Sequence, residues 1–109
     1  MSPALFLRAA VGLQSLLLSK SSFRLRYSRR EALNNLGVLY LKTRRRDQAV
    51  AGFEQCIRVA PGFDQAYLNL ARVYALEGAR DKARGVLLEL LKQHPDHQQA
   101  KQVLEQLQQ

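Results

Sequence analysis

Residues 33–61 read LNNLGVLYLKTRRRDQAVAGFEQCIRVAP, and residues 67–95 follow the same pattern with YLNLARVYALEGARDKARGVLLELLKQHP. The two stretches agree in residue character at seven positions, and the offset along the chain is the same for every pair. The pairs are Leu33 and Tyr67, Leu36 and Leu70, Gly37 and Ala71, Tyr40 and Tyr74, Ala49 and Ala83, Phe53 and Leu87, and Pro61 and Pro95. A common offset at seven positions indicates an internal repeat of the length found in solenoid proteins.

Each copy of the repeat divides into two segments with helical periodicity. In the first copy, apolar residues recur three and four positions apart, which predicts a helix from near Glu31 to about Lys42. A turn of three arginines follows, and Asp47 then places a carboxylate near the start of a second helix, where exposed N–H groups favour it. The second helix is predicted to run to about Val59, before Pro61 stops it. Each copy is therefore predicted to form a helical hairpin.

These residues resemble the tetratricopeptide repeat, a helix-turn-helix unit of the same length. In the first copy, only the opening Trp of the family is replaced, by Leu33. The second copy departs at Tyr67, Ala71 and Leu87, which keep the size class or the apolar character of the family residues. The resemblance implies an all-α fold of stacked hairpins, a fragment of an α-solenoid with a C-terminal capping helix. Small residues such as Gly37 are expected where the two helices of a unit approach most closely.

The resemblance divides the chain into four parts, which are an N-terminal segment (1–29), two repeats (30–63 and 64–97) and a capping helix (98–109). The capping helix has apolar residues at helical spacing and glutamines on its other faces, as a terminal cap requires. About three units are normally needed for an independently stable stack. We therefore expect the first helix to expose apolar surface that residues 4–18, a second copy of the chain or another protein would cover.

The net charge of +8 is concentrated at the N-terminus. Residues 1–30 carry six basic side chains and no acidic one, whereas residues 31–109 carry 11 basic and 9 acidic side chains, which leaves +2. A repeat region so close to neutrality does not favour a nucleic-acid-binding surface. The basic run Arg44-Arg45-Arg46 is interpreted as a solvated turn that Asp47 partly offsets.

The N-terminal segment has three interpretations. Residues 3–18, PALFLRAAVGLQSLLL, are too short and too polar to span a membrane. An amphipathic, acid-free segment rich in Arg and Ser resembles a mitochondrial presequence, which would make the protein mitochondrial rather than cytoplasmic if residues 1–27 are removed. The same residues would also suit a helix that covers the open end of the stack, or a remnant of a longer architecture. The period of the repeat does not continue backward, because Ser15, Ser19 and Tyr27 stand where counterparts of Ala49, Phe53 and Pro61 would lie.

Nothing in the sequence indicates catalysis, a metal or a cofactor. Cys56 is the only cysteine, so it cannot form an internal disulfide, and without a base nearby in sequence we interpret it as a small buried hydrophobe. His94 and His97 are separated by Pro95, which breaks the helix that would align them as metal ligands. Glycine-rich phosphate loops and nucleophile motifs are also absent from the sequence. We therefore predict a non-enzymatic protein.

The resemblance implies a concave groove, lined by the first helices of successive units, that holds a peptide or a partner protein. The residues predicted to contact such a ligand are Asn34, Asn35, Val38, Lys42, Asn69, Arg72, Gln99 and Gln102, with Leu41, Leu68, Ala75 and Gln106 beside them. Asn and Arg side chains bind peptide backbone or carboxylate groups. Of the positions that clamp a C-terminal carboxylate in some family members, only Asn69 matches, so this chain is not expected to be such a clamp.

The predicted function is that of a protein–protein interaction module. The alternative is an adaptor that associates with a membrane surface or a nucleic acid through its basic N-terminal segment. Self-association, or membership of a larger complex, is left open by the small number of repeats.

Overall fold

The computed structural model describes residues 28–109, and five helices account for most of this range. They are α1 (Arg29–Lys42), α2 (Arg46–Val59), α3 (Asp64–Leu76), α4 (Arg80–Gln93) and α5 (Gln98–Gln108). Residues 28–109 contain no β-strand. None of these helices is long and apolar enough to cross a membrane. The prediction of an all-α fold is confirmed.

The helices pack in chain order as two hairpins and a final helix. α1 packs against α2, and α3 packs against α4. α2 also packs against α3, which joins the hairpins, and α4 packs against α5. One buried cluster lies at the junction of the hairpins and contains Ala49, Phe53, Leu70 and Val73. A second cluster lies within α3 and α4 and reaches α5, with Tyr67, Leu68, Ala71, Ala83, Leu87, Leu90 and Ala100.

The first helix begins earlier than the apolar spacing predicts, at Arg29 rather than near Glu31. Ser28 is the N-cap of α1, and its Oγ accepts a hydrogen bond of 3.3 Å from the backbone N–H of Glu31. A serine followed by a glutamate at the third position after it is a recognised helix-start signal, because the hydroxyl satisfies an N–H that has no partner within the helix. This pair fixes the start of α1.

The turns within the two hairpins have the same backbone hydrogen bonds at counterpart positions of the repeat. The N–H of Arg45 donates to the carbonyl of Tyr40 across 2.8 Å, and the N–H of Ala79 donates to that of Tyr74 across 2.8 Å. Bonds of this kind satisfy carbonyls at the end of a helix that would otherwise lack a donor. The period seen in the sequence is therefore also present in the backbone.

Proline occupies the turn that leads out of each hairpin. Pro61 follows Ala60, whose carbonyl accepts a hydrogen bond of 3.0 Å from the N–H of Phe63. The turn at Pro95, the counterpart of Pro61, closes with an equivalent bond of 3.1 Å. Proline suits the second position of such a turn because its ring fixes φ and it has no N–H to leave unpaired.

The residues that define the repeat differ in burial. The buried members are Gly37, Ala49, Phe53, Tyr67, Leu70, Ala71, Ala83 and Leu87. Leu33, Tyr40 and Tyr74 are half-buried, and the two prolines are exposed in their turns. Leu36 is 41% exposed, although it stands at the counterpart position of Leu70.

Candidate functional site

A cleft of about 260 Å³ lies between α3 and α5, on the face of the stack formed by the first helices of the units. Its apolar lining residues are Leu68, Ala75, Val103 and Leu107, and its polar ones are Arg72, Gln99 and Gln106. The three polar side chains are exposed, whereas Leu68 is buried. An apolar floor with a few polar groups at its edge is the usual composition of a site that binds an organic ligand.

Two residues predicted to contact a ligand, Asn34 and Asn69, contact each other instead of standing free at the surface. The Nδ2 of Asn69 on α3 donates to the Oδ1 of Asn34 on α1 across 3.0 Å. Both residues are buried, with relative exposures of 5% for Asn69 and 7% for Asn34. Because a buried amide is costly without a partner, this bond fixes how α1 lies against α3.

The other predicted groove residues lie at different distances from the cleft. Arg72 and Gln99 line it from opposite sides. Asn35, Lys42 and Gln102 are exposed but are not among its lining residues. Val38 is half-buried and packs against the cluster at the junction of the hairpins. The structure therefore brings together two of the eight predicted residues in a single cleft.

Two residues of the cleft, Val103 and Leu107, are outside the predicted groove set because their spacing suits the packed face of the capping helix. They line the cleft together with Gln99 and Gln106. These four positions, at i, i+4, i+7 and i+8, share one face of a helix. That mixed spacing is the sequence signal from which the cleft side of α5 could have been identified.

His97 anchors the start of α5 beside the start of α3. Its Nδ1 accepts a hydrogen bond of 3.2 Å from the N–H of Ala100, so it caps the first turn of α5. Its Nε2 therefore carries the proton in the neutral tautomer and donates to Oδ2 of Asp64 across 3.0 Å. These contacts position α5 against α3, and hence position one wall of the cleft against the other. Within residues 28–109, no three potential metal ligands lie close enough to hold an ion.

Cys56 is buried where α2 meets the first turn of α1. Its thiol donates to the carbonyl oxygen of Arg30 across 3.1 Å. Burial raises the pKa of the Cys56 thiol above its ordinary value, while the charge of Arg30 and a hydrogen bond from the backbone of Asn34 act in the opposite direction. A protonated thiol with an internal partner is a poor nucleophile. Cys56 therefore holds helices together, in agreement with its interpretation as a buried hydrophobe.

The basic turn also takes part in the packing. The guanidinium of Arg46 donates from Nη1 to the carbonyl of Leu76, at the end of α3, across 3.4 Å. The end of a helix carries partial negative charge, which favours a cation at this place. Arg44 and Arg45 are exposed. At least one of the three arginines thus links neighbouring units.

Stacked helical hairpins with an open cleft on the side of their first helices define a helical-repeat protein. A family model described as tetratricopeptide repeat matches residues 40–107, which is more than half of the chain. The chain therefore belongs to the tetratricopeptide repeat family. Repeats of this family generally serve protein–protein interaction and are typically non-catalytic. No curated protein matches the chain.

Proposed function

We propose that the protein binds a peptide, or a short segment of a partner protein, along the face formed by α1, α3 and α5. The observation that carries this proposal is the cleft between α3 and α5, where an apolar floor lies beside a guanidinium and two amides. Interfaces that bind proteins combine such a desolvated apolar centre with a polar rim. The cleft is large enough for one apolar side chain of a ligand.

The polar groups at the rim specify the chemistry of the ligand. Among residues 28–109, no carboxylate lies within ion-pair distance of Arg72. Its guanidinium is thus available to form two hydrogen bonds with a carboxylate, either an acidic side chain or a chain end. Gln99 and Gln106 on the opposite wall can pair with the N–H and carbonyl groups of a peptide backbone. The preferred ligand is therefore a peptide with an apolar residue next to a carboxylate.

α1 extends this surface away from the cleft. Asn35 and Lys42 are exposed on α1, and Val38 lies half-buried between them. Asn34 and Asn69 act as positioning residues in this proposal, since their hydrogen bond holds α1 and α3 in register. A surface that is ordered before the ligand arrives loses little conformational entropy on binding.

The experiment is a selection of short random peptides on the full chain, followed by titration of a fluorescein-labelled selected peptide. The groove variant is Arg72→Ala with Gln99→Ala. The matched control removes the same residue types from exposed positions of α2, as Arg58→Ala with Gln55→Ala. We expect affinity about tenfold weaker or worse in the groove variant, an effect of the size seen when a central contact is removed.

The control variant and the melting temperatures distinguish a loss of ligand contacts from a general loss of stability. The control should bind as the unaltered protein does, and both variants should melt at nearly the same temperature because all four positions are exposed. Equal losses in the two variants, or an undiminished affinity in the groove variant, would contradict the proposal.

The alternative function, an adaptor held on a membrane surface or a nucleic acid by the basic N-terminus, stays a prediction. It depends on residues 1–29, of which 1–27 lie outside the described residues. It is distinguished by binding to acidic vesicles or to DNA that weakens steeply as salt is added.

A further inference from the structure

α1 exposes apolar side chains at positions whose counterparts in α3 are buried. Leu36 is 41% exposed, whereas Leu70 is 4% exposed, and Leu39 is 56% exposed, whereas Val73 is fully buried. The complete set of pairs, exposed in α1 and buried in α3, is Ala32 and Ala66, Leu36 and Leu70, and Leu39 and Val73. The three α1 positions are spaced at i, i+4 and i+7, so they form one continuous row, which we call the α1 stripe.

The counterparts in α3 are buried because a neighbouring helix packs on them. Leu70 and Val73 belong to one cluster with Ala49 and Phe53, which come from α2. In the part of the chain that the structure describes, no helix covers the α1 stripe in this way, since both of its leucines are exposed. A single exposed leucine is ordinary, whereas a continuous apolar row on one face of a helix indicates a contact surface.

Charged side chains of opposite sign lie beside the two ends of the α1 stripe. Glu31 lies in the first turn of α1, and Lys42 lies in the last turn. The two residues are eleven positions apart, which is about three helical turns, so they lie on the same side of the helix. Lys42 is exposed and Glu31 is half-buried, and within residues 28–109 neither of them forms an ion pair. Both charges are therefore available to a partner that lies on the stripe.

The stripe and its flanking charges match a second α1 that runs in the opposite direction. In such a pair, a two-fold axis beside Leu36 brings the Leu36 side chains of the two copies together. Leu39, three residues after Leu36, then lies against Ala32 of the second copy, four residues before it, so a large side chain meets a small one. Lys42, six residues after Leu36, likewise lies beside Glu31 of the second copy, five residues before it. The two-fold symmetry makes each of these unlike pairs twice.

A parallel arrangement of two α1 helices would fit less well. It would place Glu31 beside Glu31 and Lys42 beside Lys42, and like charges at a contact are costly. Antiparallel helices also bring the positive end of each helix dipole close to the negative end of the other. The charges of α1 therefore favour a second copy of the same helix, in the antiparallel orientation.

We propose that the protein forms a symmetric dimer in which the α1 stripe packs on the α1 stripe of a second copy, with the two helices antiparallel. The three apolar residues of the stripe form the centre of the contact, and Glu31 and Lys42 form ion pairs at its two ends. None of the residues that line the cleft between α3 and α5 belongs to α1, so the dimer does not depend on the proposed peptide site.

The test is sedimentation of the full chain at concentrations from about 1 μM to about 1 mM, which include the affinities of weak and moderate complexes. The stripe variant is Leu36→Ser. The matched control is Leu88→Ser, because Leu88 is exposed to a similar extent, 46%, and lies on α4. We expect the unaltered protein and the control to change from monomer to dimer as the concentration rises, and the stripe variant to associate about tenfold more weakly or worse.

Two results of this experiment would overturn the proposal. The first is an unaltered protein that is a monomer at every concentration, which would leave the stripe to residues 1–27 or to a different protein. The second is equal association of Leu36→Ser and Leu88→Ser, which would place any contact between copies elsewhere.

The charged residues test the orientation of the two helices. Glu31→Lys and Lys42→Glu should each weaken the dimer. An equimolar mixture of the two variants should associate again, because one copy then carries two cations and the other two carboxylates at the contact. The matched controls, Glu105→Lys and Lys101→Glu, change the net charge equally at exposed positions of α5 and should associate nearly as the unaltered protein does. Unchanged association in either Glu31→Lys or Lys42→Glu would contradict the antiparallel contact.

Discussion

The ring of Phe53 fills the space that a side chain on Gly37 would need. A methyl group on Gly37 would lie 2.5 Å from Cε1 and 2.7 Å from Cδ1 of that ring, well inside van der Waals contact. The counterparts in the second unit, Ala71 and Leu87, are both buried in one cluster. The two units therefore use different size combinations at the same place, glycine with a large ring in the first and alanine with a smaller leucine in the second.

This relationship predicts that Gly37→Ala destabilises the protein and that Phe53→Leu relieves the effect. Because Phe53 is fully buried, its ring cannot move without disturbing the core. We expect Gly37→Ala to lower the free energy of unfolding by about 1–3 kcal/mol. In a protein that already carries Phe53→Leu, Gly37→Ala should lower the free energy of unfolding by less. Urea unfolding of the four proteins of this double-mutant cycle measures the coupling.

Gly62→Ala is the control for this cycle. Gly62 is exposed, and a methyl group added there would meet no atom within 4 Å. Its substitution should change the free energy of unfolding by less than about 1 kcal/mol. Additive effects of Gly37→Ala and Phe53→Leu would show that the two residues are not in conflict for space.

The buried amide pair gives a second prediction. Asn69→Ala removes the donor of a 3.0 Å hydrogen bond and leaves the buried Oδ1 of Asn34 without its partner. We expect a loss of about 1–3 kcal/mol in the free energy of unfolding. Replacing both asparagines by leucine should lower the free energy of unfolding by less than the sum of the two single replacements by leucine, because no unpaired polar group remains. Asn35→Ala, at the exposed neighbouring position, should have almost no effect when all of these variants are compared by urea unfolding.

The turns of the two hairpins give a third prediction. Arg44 has φ of 63°, and its counterpart Gly78 has φ of 78°, so both occupy the left-handed region. This region costs a non-glycine residue about 1 kcal/mol or more. Arg44→Gly should therefore raise the free energy of unfolding by up to about 1 kcal/mol, after allowance for the greater freedom of glycine in the unfolded chain.

The reciprocal substitution, which places a side chain on Gly78, also tests the cost of the left-handed backbone. Gly78→Ala should lower the free energy of unfolding by about 1–2 kcal/mol, although no atom lies within 4 Å of the added methyl group. Arg45→Gly is the matched control, since Arg45 has φ of −99° and gains nothing from glycine. Equal shifts of the melting temperature in Arg44→Gly and Arg45→Gly would show that the effect of Arg44→Gly does not come from relief of backbone strain at Arg44.

Much of the fold could be predicted because apolar spacing and the repeat both reflect burial. The hairpins follow from periodic apolar faces, and the turn at Pro61 follows from the restricted backbone of proline. Apolar spacing does not indicate the start of α1 at Arg29, whereas the capping signal of Ser28 and Glu31 does. The expected exposure of apolar surface on the first helix is seen at Leu36 and Leu39.

Contacts between helices could not be predicted from the repeat in the same way. The counterpart of Asn34 in the second unit is Leu68 rather than Asn69, so the repeat gives no reason to pair the two asparagines. The cleft depends on the separation of α3 and α5, which the link between His97 and Asp64 helps to set. Such distances arise from packing in three dimensions, whereas a sequence pattern reports only which face of each helix is apolar.

The last prediction concerns alkaline pH. Burial raises the pKa of Tyr74 above its ordinary value of 10.0, and the hydrogen bond and negative charge of Glu54 and the charge of Glu77 act in the same direction. The Tyr74 hydroxyl donates to Oε1 of Glu54 across 3.2 Å, a bond that requires the proton. The folded state therefore holds this proton more tightly than the unfolded chain does. The resulting stabilisation is complete below pH 10 and is lost as the pH rises through the raised pKa.

The Cys56 thiol also makes a contribution to the free energy of unfolding that is lost as the pH rises. This loss begins at a lower pH than that of Tyr74, because the pKa of the thiol is raised from an ordinary value of 9.0. Urea unfolding between pH 8 and pH 11 should therefore show stability that starts to fall near pH 9 and falls further above pH 10. Cys56→Ala should remove the first part of this decline and Tyr74→Phe the second, and a protein with both changes should lose both parts. A decline of unchanged steepness in the double variant would show that other groups cause it, and that neither proton is held by the folded state.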